Sequence, residues 1–287
     1  MSGTSGILLV NKQAGWTSHD VVAKVRKNLH TKKVGHAGTL DPMATGVLPI
    51  CIGKATKIVD RIAAGNKQYK SVMKLGVTTN TQDTTGDVLK TCDAKDYMLE
   101  GDFEAKIHAV VSEFVGDIEQ IPPMFSAIKI DGQKLYSLAR KGIEVERPAR
   151  KITIFAIEIL SINGDLVEML VDCSKGTYIR TLCHDIGGKL GCGACMASLQ
   201  RTKVGRFCLE ECSVALDRNQ LISIDELLRD LPEFIVNTDE EIKIKNGCKL
   251  PVDLENGEYR IKNGVGELLA ISRADNGVLE LVNALWM

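Results

Sequence analysis

Apolar and polar positions along this chain follow two rhythms, one of strands and one of helices. Ile7-Leu8-Leu9-Val10 is a continuous apolar run, the pattern of a short buried strand. Val21, Val22, Val25 and Leu29 then recur at helical spacing, with Lys24, Arg26 and Lys27 on other faces and Thr17 or Ser18 in N-cap position. Residues 47–52 read as a strand or a helix end, and 55–64 as a helix. Residues 69–75 alternate like a half-buried strand. The stretch 76–102, rich in Thr, Gly and Asp, predicts a loop. Residues 103–114 predict a helix, broken by Ile121-Pro122-Pro123. Residues 152–160 and 166–173 predict paired strands around Asn163-Gly164. Residues 178–190 have helical periodicity ending at Gly191, and 224–231 predict a short helix closed by Pro232.

Beyond Pro232 the pattern changes. Short strand-like runs at 258–261, 267–273 and 278–281 are punctuated by Asn-Gly at 246–247, 256–257, 263–264 and 276–277. That spacing predicts a small all-β module over 233–287. Strands and helices mix without regular βαβ alternation, so the fold class is α+β.

The 287 residues suffice for one large domain plus a small module. No run of about 18 apolar residues predicts a membrane span, and the first residues lack a secretory pattern. Nine scattered cysteines, an odd number, argue for a reducing compartment. A cytoplasmic location with no membrane partner is expected. Net charge is only −1, yet residues 1–90 hold 13 Lys/Arg against 5 Asp/Glu, and 122–151 hold 7 against 3. Two basic zones of this kind suggest a polyanion partner, although a solvated basic face is common.

Within the uncharged stretch 34–53, Asp41 stands alone. A carboxylate in a glycine-rich, largely apolar loop is costly to desolvate unless paired. Asp41-Pro42 is equally a good N-cap and first helical residue, and local chemistry leaves both readings open. Tyr69, between Lys67 and Lys70, is either a half-exposed strand tyrosine or a stacking platform for a nucleobase. Arg180 falls in the first turn of a predicted helix, where a cation needs an anionic partner. Asp41 is a candidate for that partner, and a surface arginine is the alternative. Cys192, Cys195, Cys208 and Cys212 have spacing that invites zinc, but no histidine supports it and no metal site is expected. P-loop, dinucleotide, metalloprotease and nucleophile-elbow motifs are absent.

Several segments together resemble one family. Gly35-His36-Ala37-Gly38-Thr39-Leu40-Asp41-Pro42-Met43-Ala44-Thr45-Gly46-Val47-Leu48-Pro49 is similar to the signature of the TruB-type pseudouridine synthases. Leu8-Leu9-Val10-Asn11-Lys12 with Gly15-Trp16-Thr17-Ser18 resembles its N-terminal motif, and Lys67-Gln68-Tyr69 its tyrosine motif. Residues 120–129, running on to Gly132, Tyr136, Ala139-Arg140 and Gly142, resemble its RNA-gripping insertion. Residues 173–182 and Leu199-Gln200-Arg201-Thr202 resemble its late motifs, although Arg-Arg is more usual in the family than Gln200-Arg201. The resemblance covers about 7–232, and the tail resembles a PUA-type RNA-binding module.

The resemblance implies a pseudouridine synthase fold: a mixed, mainly antiparallel sheet flanked by helices over 1–232, with an insertion at about 122–151 and a PUA-like module at 233–287. It implies isomerisation of the uridine at tRNA position 55, in the T-loop, with no cofactor. Asp41 would be the essential carboxylate, Arg180 its ionic partner, and Tyr69 a stack for the flipped base. His36, Lys12, Tyr178 and Leu199 would bind or enclose the nucleotide, with Lys12 bracing the catalytic loop or contacting phosphate. Lys129, Arg140 and Lys141 would grip the T-stem backbone. The expected partner is tRNA through its T-arm, without an obligatory protein partner, the protein being a monomer. A tRNA-binding folding factor with secondary or lost catalysis is the competing reading, and a catalytic subunit of a guide-RNA ribonucleoprotein a third. A lone carboxylate facing an anionic ligand favours an enzyme over a binder.

Overall fold

The computed structural model describes residues 4–93, 102–130, 132–214, 216 and 220–286. The chain packs as two units. The first gathers Met1–Pro42, Leu48–Ala63 and Glu211–Met287, and the second Met43–Val47 and Ala64–Glu210.

The first unit opens with strand β1 (Gly6–Lys12), buried at nearly every position. Thr17 caps helix α1 (Ser18–Asn28) through a capping box. Its hydroxyl accepts from the Asp20 amide, and the Asp20 carboxylate accepts from the Thr17 amide. Val21, Val22 and Val25 bury the apolar stripe of α1. Strand β2 (Val34–His36) pairs antiparallel with β3 (Thr45–Ile52), which β1 also borders. The region read as one helix over 55–64 is a 3-10 helix, Gly53–Ile58, followed by α2 (Val59–Ala63).

In the second unit, β4 (Lys67–Leu75) alternates buried and half-buried residues along its whole length. The region 76–102 is not simply loop. It holds a hairpin of β5 (Val77–Thr79) and β6 (Val88–Thr91), while 94–101 lie outside the described residues. All four residues of β6 are exposed, so no alternation betrays it. Helix α3 (Phe103–Ser112) is followed by β7 (Gly116–Gln120), a mostly polar strand that the apolar pattern does not predict. The insertion forms a small hairpin of β8 (Lys129–Ile130) and β9 (Gln133–Lys134), then α4 (Leu135–Ala139).

Strands β10 (Arg150–Asn163) and β11 (Leu166–Cys173) make the predicted hairpin. Asn163 and Leu166 face each other, so the turn is Gly164-Asp165, with Gly164 at φ +60°. Helix α5 (Ile179–Leu190) ends on Gly191 at φ +88°. Strands β12 (Ala194–Val204) and β13 (Phe207–Cys208) complete the unit. Its strand order is β12-β4-β11-β10-β7, with β13 on β12. All these pairs are antiparallel, while Thr45 and Gly46 of β3 pair parallel with Gln200 and Arg201 of β12. The sheet is therefore mixed and mainly antiparallel.

The remaining elements return to the first unit. Helix α6 is shorter than predicted, Ile224–Leu227. Strands β14 (Glu233–Val236), β15 (Leu250–Pro251), β16 (Gly257–Asn263), β17 (Leu268–Asp275) and β18 (Val278–Ala284) form a sheet of order β14-β16-β17-β18-β15. Val236, Ile244, Tyr259, Ile261, Leu269 and Leu279 give it its own core. The tail adds one element the Asn-Gly spacing does not predict, helix α7 (Thr238–Lys245), capped by Asn237 with Glu240. Among the described residues no helix is long and apolar enough to cross a membrane.

Candidate active site

In the first unit the chain leaves β2 at His36 and turns back at Pro42-Met43 into β3. Asp41 lies half-buried just before that turn. No helix follows it, so the N-cap reading of Asp41 and Pro42 is corrected: a turn leads into β3, and the Pro42 carbonyl is taken by Gly15 and Lys12 rather than by a helical amide.

Both neighbours of Asp41 are tied down. The Ser18 hydroxyl accepts from the Leu40 amide (2.9 Å) and donates to the Leu40 carbonyl (3.2 Å). The Pro42 carbonyl accepts from the Gly15 amide (2.8 Å) and from the Lys12 ammonium (3.2 Å). Lys12 is fully buried and also donates to the carbonyls of Gln13 (3.0 Å) and Trp16 (2.6 Å). Burying an ammonium is costly, and three carbonyls offset that cost only with the two loops held as they are. Such a Lys12 braces the loop and is enclosed away from any phosphate. His36 is half-buried, and the exposed His19 of α1 meets it edge-on, ring centres 5.7 Å apart at 69°.

In the second unit Tyr69 sits on the inward face of β4, buried, between Val171 of β11 and Arg201 of β12 in register. Leu199 faces Ser71 across the same ladder and is buried. Arg201 is buried too, its Nε donating to the Val47 carbonyl at 2.8 Å, so it serves the β3–β12 junction rather than an RNA backbone. Lys67 shares the inward face of β4 and donates to the Gly65 carbonyl at 2.5 Å. Burial, reinforced by Arg201 and Lys175, pushes its ammonium down to about 8.

Arg180 is buried in the first turn of α5. Its Nη1 donates to the Thr81 carbonyl (2.9 Å), its Nη2 to the Phe125 carbonyl (2.8 Å), and its Nε lies 3.8 Å from the Asp83 carboxylate. Asp83 is itself buried and accepts from the Thr81 hydroxyl and from the amide and hydroxyl of Thr85. Sequence reasoning missed Asp83, whose Thr-Gln-Asp-Thr-Thr-Gly setting looks like ordinary turn chemistry. It missed Gln120 as well. The Gln120 side chain donates to the Tyr178 carbonyl (3.0 Å) and accepts from its amide (2.8 Å), fixing the backbone of Tyr178.

Lys129, Arg140 and Lys141 are exposed on the insertion. Lys134, not anticipated, faces Lys129 across the β8–β9 pair. The Lys134 ammonium and the Arg140 guanidinium each lie 5.5 Å from the Tyr136 ring centre. All nine cysteines are free thiols. Burial pushes Cys51 and Cys183 up to about 12, which makes neither a nucleophile at neutral pH. Among the described residues no cluster of three or more His, Cys, Asp or Glu side chains is placed to hold a metal.

Fold and site define an α+β protein of the pseudouridine synthase class. The chain matches the TruB family pseudouridylate synthase N-terminal domain over residues 26–179 and the tRNA pseudouridylate synthase B C-terminal domain over 180–240. It is 48% identical over 261 residues to tRNA pseudouridine synthase B of Clostridium tetani, covering 91% of this chain and 85% of that one. To the protein of that name in Clostridium acetobutylicum it is 44% identical over 292 residues, covering 98% and 99%. Among solved structures it is similar to a Cbf5–Nop10–Gar1 complex, with a TM-score of 0.71 and 28% identity over 98% of this chain and 85% of that one. An H/ACA ribonucleoprotein bound to a substrate RNA gives a TM-score of 0.69 at 26% identity, covering 98% and 85%. The chain belongs to the TruB family of pseudouridylate synthases.

Proposed function

We propose that this protein isomerises a uridine of tRNA to pseudouridine, that the uridine is position 55 of the T-loop, and that Asp41 is the essential carboxylate. The observation that carries the reading is the bracing of Leu40 and Pro42 on either side of Asp41 by Ser18, Gly15 and Lys12. A loop fixed in this way presents its carboxylate without reorganisation during the reaction. The bond between ribose C1′ and N1 of the base breaks, the uracil turns, and C5 bonds to C1′. The proton lost from C5 balances the one gained at N1, so atoms are conserved and no cofactor is required.

Arg180 pairs with Asp41 in this reading and orients it. Its guanidinium is held in place by Asp83 and two carbonyls. Tyr69 stacks on the extruded uracil and assists proton removal, Leu199 supplies an apolar wall, and Tyr178 and His36 contact the extruded nucleotide. Lys129, Arg140 and Lys141 hold the T-stem phosphates. Residues 1–232 act as the catalytic domain and 233–287 as a PUA-like RNA-binding module, a division supported by the separate core of the five-stranded sheet. The protein acts in the cytoplasm as a monomer without an obligatory protein partner.

The test is pseudouridine formation on a synthetic T-arm stem-loop by purified protein in EDTA, with no other protein added. Several products per enzyme are expected, abolished by Asp41→Asn while RNA affinity stays within a few-fold. Tight binding without product would favour a folding factor, or an enzyme dependent on a partner as in the ribonucleoproteins it resembles. Substantial turnover by a clean Asp41→Asn preparation would remove Asp41 from the chemistry.

A further inference from the structure

Of the larger basic zone of the sequence, residues 1–90, Lys12 braces the loop of Asp41, and other lysines serve neither that loop nor the insertion. In the first unit three of its lysines, Lys33, Lys54 and Lys57, come together. The Gly53 amide donates to the Lys33 carbonyl (2.8 Å), which sets Lys33 beside the start of the 3-10 helix. Side chains three residues apart eclipse in such a helix, so Lys54 and Lys57 rise on one ridge. The Lys54 ammonium donates to the Trp286 carbonyl (3.2 Å) and that of Lys57 to the Ala284 carbonyl (2.8 Å).

Among the described residues none of the three has a carboxylate within ion-pair distance. Burial, with the charges of Lys33 and Lys54, holds the Lys57 ammonium below its ordinary range. Four other cations of the same unit are neutralised. Arg61 and Arg273 share Glu258, while Arg260 and Lys262 share Asp225 and Glu233. Three crowded like charges cost energy that an anion would recover.

Their position limits which anion. They stand at the Val34↔Ile52 end of the β2–β3 ladder, whereas the Asp41 loop leaves from the His36↔Ile50 end. Strand β3 spans roughly 20–25 Å at strand rise, so an RNA touching both the Asp41 loop and these lysines extends well beyond the reacting nucleotide. We propose that Lys33, Lys54 and Lys57 form a second phosphate-binding surface that takes the RNA backbone of the tRNA outside the T-arm. The proposal rests on the tRNA reading and extends it to a contact the reacting loop does not need.

The experiment compares an unmodified full-length tRNA transcript with an isolated T-arm stem-loop, binding each to the full-length protein across a salt series. In the triple variant Lys33→Gln, Lys54→Gln, Lys57→Gln, glutamine removes charge and keeps a donor for the Ala284 and Trp286 carbonyls. On full-length tRNA the log–log salt slope should become shallower by about 2–3, at about 0.9 per phosphate released. Affinity at about 0.1 M salt should fall at least tenfold by the same counterion argument. Affinity and turnover on the T-arm should stay unchanged. Lys33→Gln alone, which touches no such backbone carbonyl, should lower the slope by about 1 and keeps the test decisive if the triple variant folds poorly. An unchanged slope on full-length tRNA overturns the proposal, and so does an equal loss on both RNAs. A wild-type protein inactive on the T-arm would defeat the functional reading instead, with the slope comparison still readable.

Discussion

Arg180 and Lys67 are both buried cations of the second unit, and they are held in opposite ways. Arg180 has two carbonyls and the Asp83 carboxylate as partners. Removing one partner of a buried pair is strongly destabilising, roughly 3–5 kcal/mol. The 3.8 Å separation is long for a hydrogen bond and puts this pair at the low end. Asp83→Ala also strands the donors of Thr81 and Thr85. We expect about 3–4 kcal/mol lost in urea unfolding and turnover lowered at least tenfold, with RNA affinity kept. Full turnover by a folded Asp83→Ala protein would show that the two carbonyls alone suffice for Arg180. Lys67 has its charged form disfavoured, by burial first and then by Arg201 and Lys175. Its folded value of about 8 lies below the 10.5 of a free lysine. Below pH 8 both states carry the proton, and the folded state bears the cost of the buried charge. Between these values the unfolded chain holds more protons, so stability rises with pH, and above them both states are neutral. Lys67→Met should abolish a rise of up to ~3 kcal/mol, read as unfolding free energies at several pH values across that window. Parallel pH curves for the two proteins would contradict it.

Elements were legible where side chains keep a strict period. Strand β4 alternates without a break and was plain in the sequence. Strand β12 lies beside it and was not seen, because register shifts at Met196/Ser198 and Arg201/Lys203 twice break its period. Strand β6 is exposed throughout and β7 is mostly polar, so neither offers an apolar signal. The site divides in the same way. Asp41 stood out because its surroundings carry no other charge, whereas Asp83 sits among turn residues and acquires meaning only through Arg180, far along the chain. Asp-Pro also imitates a helix start, and only the turn into β3, with the Pro42 carbonyl held by Gly15 and Lys12, decides against it. Gly46 shows how tightly β3 is set. It lies at φ +102° opposite Arg201, and an added Cβ would fall on the Arg201 backbone, both carbonyl oxygen and amide nitrogen. Gly46→Ala combines a disfavoured backbone with a clash neither strand can relieve. We expect at least ~3 kcal/mol of destabilisation in chemical unfolding and loss of turnover, since β3 begins just beyond Asp41. A Gly46→Ala protein as stable as wild type would mean that the parallel β3–β12 contact is dispensable.

Across the molecule a net charge of −1 conceals basic clusters in each unit, and the insertion shows what such a cluster costs. Lys129 and Lys134 face each other across β8 and β9, and like charges directly opposite weaken a strand pair. The hairpin is nonetheless closed, because Leu135 is fully buried and the amides of Leu135 and Tyr136 donate to Ile128 (2.8 Å) and Ser126 (3.1 Å). Arg180 adds a further tie through the Phe125 carbonyl. Apolar burial and backbone bonds thus hold together cations that would otherwise separate. Charge arranged against its own stability is the arrangement a phosphate backbone would relieve. Lys129→Ala with Arg140→Ala should therefore have two effects that a merely structural hairpin would not combine. The melting temperature should not fall, because a repulsive pair is removed. The salt slope for T-arm binding should become shallower by about 1.4–1.8, at roughly 0.7–0.9 per lost phosphate contact. A fall in melting temperature with an unchanged slope would make these residues structural and remove the insertion from the T-arm interface.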